Sequence, residues 1–182
     1  MRNLVYAINL TIDGCFDHTK GIPTEDLYDF YINLLKKSDL LLYGRITYQL
    51  MVPYWPDAAK NMSGSKGENE FAQTFASVKR AVVSRTLEST EDGSQIIRTN
   101  LKEEILKLKS QSGKDILLGG VDLPSQLIAL NLVDEFRFVV HPVFGGSGRR
   151  LFENTDLPEK LKLTLVESKP IGSGFVALHY RQ

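Results

Sequence analysis

The chain has a single cysteine, Cys15, which excludes an internal disulfide framework and any zinc site built on several thiolates and fits a reducing compartment. It carries no excess charge. The 22 Lys and Arg balance 22 Asp and Glu, so no global field is available to hold nucleic acid or an anionic membrane, and any phosphate site has to be local. No apolar run approaches the ~20 residues of a membrane span. Met1-Arg2-Asn3 leads at once into a strand-like stretch, without the apolar core of a signal peptide. The sequence therefore predicts a soluble, cytoplasmic protein. Internal repeats, low-complexity tracts and composition shifts are missing too, and 182 residues, 42% of them hydrophobic, predict one domain over 1–182 with a substantial core.

Several common signatures fail on spacing. Gly145-Gly146-Ser147-Gly148 has neither the Gly-Lys-Ser/Thr of a phosphate loop nor the Gly-x-Ser-x-Gly of a nucleophile elbow. His18, His141 and His179 lie far apart and share no ligand pattern, so no metal is expected.

What is present is an alternation of strand and helix. Residues 3–10 read as a buried strand ending near the Asp13-Gly14 turn, and Leu27, Phe30, Tyr31, Leu34 and Leu35 recur at helical spacing over 25–37, behind the capping residue Thr24. Residues 39–43 read as a strand buried on both faces. A short helix is expected over 45–51, a loop over 52–67 where Pro53, Pro56, Gly64 and Gly67 fall, a helix over 68–77 and a strand over 80–83. The second half predicts strands over 95–98, 115–118 and 136–141, with helices over 101–110 and from about Val121. Strands over 161–168 and 174–181, joined by Gly172-Ser173-Gly174, would close an antiparallel hairpin. The fold class is α/β: a mainly parallel central sheet flanked by helices, with an antiparallel C-terminal hairpin.

Ligands of such sheets sit outside the carboxyl ends of the strands, and three polar tips fall there. Gly119-Gly120 precedes the helix near Val121, so free N–H groups and a positive helix end could take a pyrophosphate; the pair could equally be a tight turn. Ser84-Arg85-Thr86 offers two hydroxyls and a guanidinium, suited to the 2′-phosphate that distinguishes NADPH from NADH, or serves as a solvated turn. Gly44-Arg45-Ile46-Thr47 adds a second arginine at a helix start, where Arg45 could also pair with a surface carboxylate. The coincidence of all three points to a reductase using NADPH.

The segments Thr11-Ile12-Asp13-Gly14, Leu42-Tyr43-Gly44-Arg45-Ile46-Thr47-Tyr48, Val82-Val83-Ser84-Arg85-Thr86-Leu87, Leu118-Gly119-Gly120, Leu132-Val133-Asp134-Glu135, Pro142 to Gly148 and Leu151-Phe152 follow one another in this order. The chain thereby resembles the dihydrofolate reductase superfamily, in the branch similar to the C-terminal reductase domain of the bacterial riboflavin-biosynthesis deaminase-reductase. The resemblance covers nearly the whole chain and implies a dihydrofolate-reductase-like three-layer sandwich. It implies that Gly44, Arg45 and Thr47 lie against the NADPH phosphates and that Ser84, Arg85 and Thr86 take the 2′-phosphate end. It also implies a cis peptide between Gly119 and Gly120, and Ala7 facing the nicotinamide. Ile46 stands where the family often has a second basic residue, which shifts the phosphate grip toward Arg85. The His-x-Glu and Pro-Cys-x-x-Cys zinc signature of the deaminase half is absent, leaving a stand-alone reductase-like domain.

Two carboxylates are catalytic candidates. Asp13 falls where the riboflavin-type family carries an aspartate near the substrate, and is equally an Asp-Gly turn former. Asp26 falls roughly where dihydrofolate reductases place the acid that assists protonation of the pterin, and is equally a favourable acidic residue at a helix N-terminus. Cys15 and Phe16 could border the nicotinamide pocket or form an ordinary buried pair. Tyr54 and Trp55 could form a lid or a core anchor. The expected activity is NADPH-dependent reduction of a pterin-like or ribosylaminopyrimidine heterocycle, as by 5-amino-6-(5-phosphoribosylamino)uracil reductase. Dihydrofolate reductase and a non-catalytic nucleotide-binding module are the alternatives. The resemblance also implies a homodimer, for which the apolar hairpin strand from Phe175 to Tyr180 could supply an edge.

Overall fold

The alternation in sequence becomes one eight-stranded sheet in the computed structural model, which describes residues 1–151, 161–172 and 174–182. The strands are β1 (Leu4–Thr11), β2 (Ser38–Gly44), β3 (Lys79–Val83), β4 (Gln95–Ile97), β5 (Asp115–Gly119), β6 (Glu135–His141), β7 (Thr164–Ile171) and β8 (Phe175–Arg181). They lie in the order β4-β3-β2-β5-β1-β6-β8-β7. Pairing is parallel from β4 to β6 and antiparallel across β6-β8 and β8-β7.

The central strands are apolar at successive positions because both faces are covered. Leu4, Tyr6, Leu40, Leu42, Ile116 and Leu118 point to one side, under α4 (Leu101–Ser110) and α5 (Asp122–Ala129). Val5, Leu41, Tyr43, Val82 and Leu117 point to the other, under α1 (Glu25–Lys37), α2 (Arg45–Asn61) and α3 (Lys66–Ser77). The result is the three-layer sandwich with an antiparallel C-terminal pair that the sequence predicts.

The expected loop over 52–67 is a correction. The helix expected to stop at 51 continues to Asn61 with Pro53 and Pro56 inside it, and α3 starts at Lys66 behind the Ser65 cap. A proline in a helix interior costs about 3 kcal/mol, but the stripe Tyr48, Val52 and Trp55 packs into the second core, where Trp55 meets Phe71 at 4.5 Å between ring centroids. Pro53 is on the exposed side, where water can take the carbonyl its ring leaves without a donor. Gly67, read as a loop residue, is buried in α3: a Cβ there would lie 3.1 Å from Tyr28 Cβ, so its absence lets α1 and α3 close together. Strand β7 starts later than expected, at Thr164. Phe152 and Ser173 lie outside the described residues. Among those described, no helix is long and apolar enough to cross a membrane.

Candidate functional site

Neighbouring parallel strands end in register, which sets their tips side by side. Tyr43 pairs with Gly119, Gly44 with Val83, and Val83 with Ile97. The tips of β5, β2, β3 and β4 therefore follow one another along one rim of the sheet, continuing from β1. A cleft of about 1710 Å³ runs along this rim. Every residue expected on the cofactor side lines it: Ala7, Gly44, Arg45, Thr47, Ser84, Arg85, Thr86, Gly119, Gly120 and Val121.

At the middle of the cleft, Gly44 is the N-cap of α2; it offers no side-chain cap, and the first turn holds no acid. Four N–H groups at such an end lack helical partners and carry the positive end of the dipole, so an anion is the natural occupant. Thr47 lies against Gly120, whose ideal Cβ would fall 3.3 Å from Thr47 Cβ and whose φ is +96°. The Gly119–Gly120 peptide is trans, since no cis bond occurs among the described residues, which corrects the cis bond implied by the resemblance. The positive φ of Gly120 makes the turn instead. Tyr6 holds that turn, its hydroxyl donating to the Gly120 carbonyl at 3.0 Å. The second helix end is less suited to an anion, because α5 carries Asp122 in its first turn. Arg45 bonds Gln49 at 3.0 Å and keeps its charge at the rim.

At the β3 end, the buried Ser84 hydroxyl accepts from Thr86 N at 3.2 Å and Leu87 N at 2.9 Å. Ser84 thus shapes the tip, leaving Arg85 and Thr86 exposed to the cleft. Arg98, at the tip of β4, lines the same end and donates to the Glu88 carbonyl at 2.9 Å. Sequence reasoning missed Arg98 because the strand expected over 95–98 included it, whereas β4 ends at Ile97 and leaves Arg98 as the tip.

The opposite end of the cleft lies between β1 and the α1, α2 and α3 layer. Tyr28, Tyr31, Trp55, Phe71 and Met51 line it, so Trp55 serves both as cleft wall and as core anchor. Asn9 stands two residues past Ala7 on the same face of β1, and the Tyr31 hydroxyl donates to its Oδ1 at 2.8 Å. Burial pushes the Tyr31 phenol well above its usual value, so it stays protonated. Cys15 and Phe16 also line the cleft, with the Arg149 guanidinium over the Phe16 ring at 5.0 Å. His141 is 2% exposed; Ile22 N donates to its Nδ1 at 3.2 Å, and Nε2 has no partner among the described residues. Burial pushes its value down, which keeps the ring neutral. Asn9, Tyr31, Arg149 and His141 carried no sequence signal separating them from core or surface residues.

Neither candidate acid lines this cleft. Asp13 braces the loop after β6. Its carboxylate takes the Thr11 hydroxyl at 2.5 Å, Gly145 N at 2.8 Å, Gly146 N at 3.1 Å and Arg150 at 3.3 Å. The Thr11 hydroxyl and the Gly145 amide pull its value down to about 2. Asp26 is exposed in the first turn of α1, against Gly172 of the terminal hairpin. The carboxylates that do line the cleft are Asp17, which caps the 3-10 turn His18–Lys20, and Asp122.

Residues 2–177 match the family described as the RibD C-terminal domain. The uncharacterized protein YyaP of Bacillus subtilis is 34% identical over 183 residues, covering 98% of this chain and 94% of that protein. Among solved structures, a pyrimidine reductase-like protein of Corynebacterium diphtheriae has a TM-score of 0.66 at 17% identity, covering 99% of this chain and 91% of that one. A diaminohydroxyphosphoribosylaminopyrimidine deaminase/5-amino-6-(5-phosphoribosylamino)uracil reductase of Thermotoga maritima has a TM-score of 0.68 at 15% identity, covering 99% of this chain and 56% of that one. These two structures share the fold.

Proposed function

The chain belongs to the RibD C-terminal domain family, and from that premise we propose that it is an NADPH-dependent reductase of a small planar heterocycle, of the pterin or ribosylaminopyrimidine kind. The observation that carries this reading is the single cleft shared by Ala7, the uncapped start of α2 and the Arg85 and Arg98 tips. An extended dinucleotide would lie along it, nicotinamide toward Ala7, pyrophosphate on the Gly44–Thr47 turn and 2′-phosphate at Arg85. Bound NADPH would supply the hydride. The chain's residues would hold the ring beside the acceptor and keep bulk water from it, and the accompanying proton would come from solvent.

Reduction of dihydrofolate loses its support, because Asp26 is exposed and outside the cleft. The absence of both candidate acids from the lining favours one other reading, a nucleotide-binding module without turnover. The strand from Phe175 to Tyr180, expected to supply a dimer edge, is instead paired on both sides, by β6 and β7. We therefore also propose that the 182 residues act as one domain in a cytoplasmic homodimer paired through β7, the outer strand of the same hairpin, on which Leu165 and Val166 are 53% and 47% exposed.

Equilibrium binding of NADPH and NADH, read by nicotinamide fluorescence, tests the cofactor. The expected result is tighter binding of NADPH, with the preference lost in Arg85→Ala. Failure to bind either dinucleotide overturns the reductase reading. NADPH binding without oxidation by any pterin or ribosylaminopyrimidine supports the module.

A further inference from the structure

Asn9 puts a polar side chain of β1 into the end of the cleft that Tyr31, Phe16, His141 and Arg149 also line. Its amide can face two ways, presenting either oxygen or nitrogen to the ligand. Tyr31 decides between them: the phenol has no other acceptor among the described residues, and its proton goes to Asn9 Oδ1 at 2.8 Å. The Nδ2 group is thereby turned outward, and among the described residues it meets no acceptor. Tyr28, Trp55 and Phe71 line the same end and pack on one another, Tyr28 and Phe71 with centroids 5.9 Å apart and Trp55 and Phe71 4.5 Å. The lining carboxylates are Asp17, beside Phe16, which accepts from the Thr19 amide and hydroxyl in the 3-10 turn, and Asp122 at the phosphate end.

We propose that Asn9, oriented by Tyr31, is the specificity-determining residue of the substrate end, donating from Nδ2 to a carbonyl or ring-nitrogen acceptor of a neutral ring. This deepens the reductase reading and rests on it. A ring that presents an amino group there places donor against donor, and a cationic ring meets the Arg149 guanidinium at the same end while the Asp17 carboxylate is already taken by Thr19. Recognition through a hydrogen-bonding group rejects the mismatched analogue strongly, whereas an apolar wall does not. The site selects an oxo-substituted heterocycle over the amino-substituted ring of the same shape.

Pteridine-2,4-dione and 2,4-diaminopteridine are suitable probes, since they share one bicyclic outline and differ in that edge. With NADP⁺ saturating, the wild-type protein should bind the dione at least about tenfold more tightly. In Asn9→Asp the order should reverse, because the carboxylate accepts from the amino group and pairs with the protonated ring. In Tyr31→Phe the amide is free to turn, and the preference should shrink. Equal affinity of the wild-type protein for both rings, binding of neither, or an Asn9→Asp variant that still prefers the dione overturns the proposal. NADPH affinity measured on the same samples separates the two ideas. If NADPH binds and the rings are not discriminated, only the role of Asn9 falls; if NADPH does not bind, the reductase reading itself falls.

Discussion

The Tyr48 hydroxyl donates to Asp92 Oδ1 at 2.5 Å, tying the residue after Thr47 in α2 to the turn between β3 and β4. The same carboxylate takes Arg80 Nε at 2.6 Å, the Ser94 hydroxyl at 2.7 Å and Ser94 N at 3.1 Å. This knot joins the Gly44–Thr47 turn to the loop that begins at Ser84 and carries Arg85, and so ties two stretches of the cleft wall together.

Asp92→Asn removes the charge and one acceptor from that knot, and should cost about 1–3 kcal/mol of stability. Burial pushes the Asp92 carboxyl up, but the bonds from Tyr48, Arg80 and Ser94 outweigh it and hold the folded value well below the usual range. An unfolded aspartate titrates near about 3.9. The contribution is therefore complete above that pH and is lost as the pH falls toward the folded value. Thermal melts between pH 3 and pH 7 check this: the gap between wild type and Asp92→Asn should be widest near neutrality and begin to narrow below about pH 4. NADPH should also bind more weakly to the variant.

Asp13 is held as a brace, and its substitution should behave as one. Asp13→Asn keeps one acceptor for the Gly145 amide but loses the charge that Arg150 meets. The melting temperature should fall by a few degrees above pH 5 and converge with wild type as the pH approaches about 2, where the folded carboxyl itself protonates. NADPH affinity should stay within about twofold, because Asp13 does not line the cleft. A variant with an unchanged melting curve and abolished turnover would instead put Asp13 in the chemistry.

Arg98 should contribute to the choice between the two dinucleotides. Its guanidinium stands on the strand tip next to that of Arg85, and charge-assisted contacts to a phosphate exceed neutral ones even at a solvated rim. Arg98→Ala should raise the NADPH dissociation constant about fivefold at low salt and leave NADH binding unaltered. Titration of both dinucleotides at two ionic strengths reads this, and the wild-type advantage for NADPH should narrow at high salt. Equal weakening of NADPH and NADH would place Arg98 outside the 2′-phosphate end.

Pairing through β7 predicts a charge-sensitive dimer. Leu165→Lys puts a cation on the exposed outer strand, beyond which no further strand pairs among the described residues. Light scattering should report a dimer for the wild type and a monomer for the variant, with melting of the monomer still cooperative. An unchanged mass for Leu165→Lys would move the contact elsewhere.

The sheet was legible in sequence because its central strands are uniformly apolar and end in glycine or hydroxyl residues; Asp39 to Gly44 and Asp115 to Gly120 show this most clearly. Their tips were legible for the same reason. The extension of α2 was not, since Pro53 and Pro56 are strong local breakers and the packing of Trp55 on Phe71 that outweighs them joins residues from two helices. The polar pair at the aromatic end of the cleft was hidden for a related reason. Asn9 and Tyr31 are 22 positions apart and meet only when α1 crosses β1, whereas Asp13, the conspicuous polar residue of that strand end, is spent on the Gly145 loop.

Gly120 is where backbone conformation and the proposed phosphate site coincide, so Gly120→Ala should disturb both. At φ +96° an alanine is strained whatever the space around it, at a cost of about 1–2 kcal/mol, and its Cβ would press on Thr47 as well. The melting temperature should fall by roughly 2–8 °C, and NADPH should bind about tenfold more weakly as Thr47 is pushed from the start of α2. Thr47→Ala in the same background separates the two causes. It removes the hydroxyl that the new methyl meets but leaves the backbone angle unchanged, so the double variant should regain only part of the lost stability. Full recovery would show that crowding against Thr47, and not the left-handed turn, sets the need for glycine.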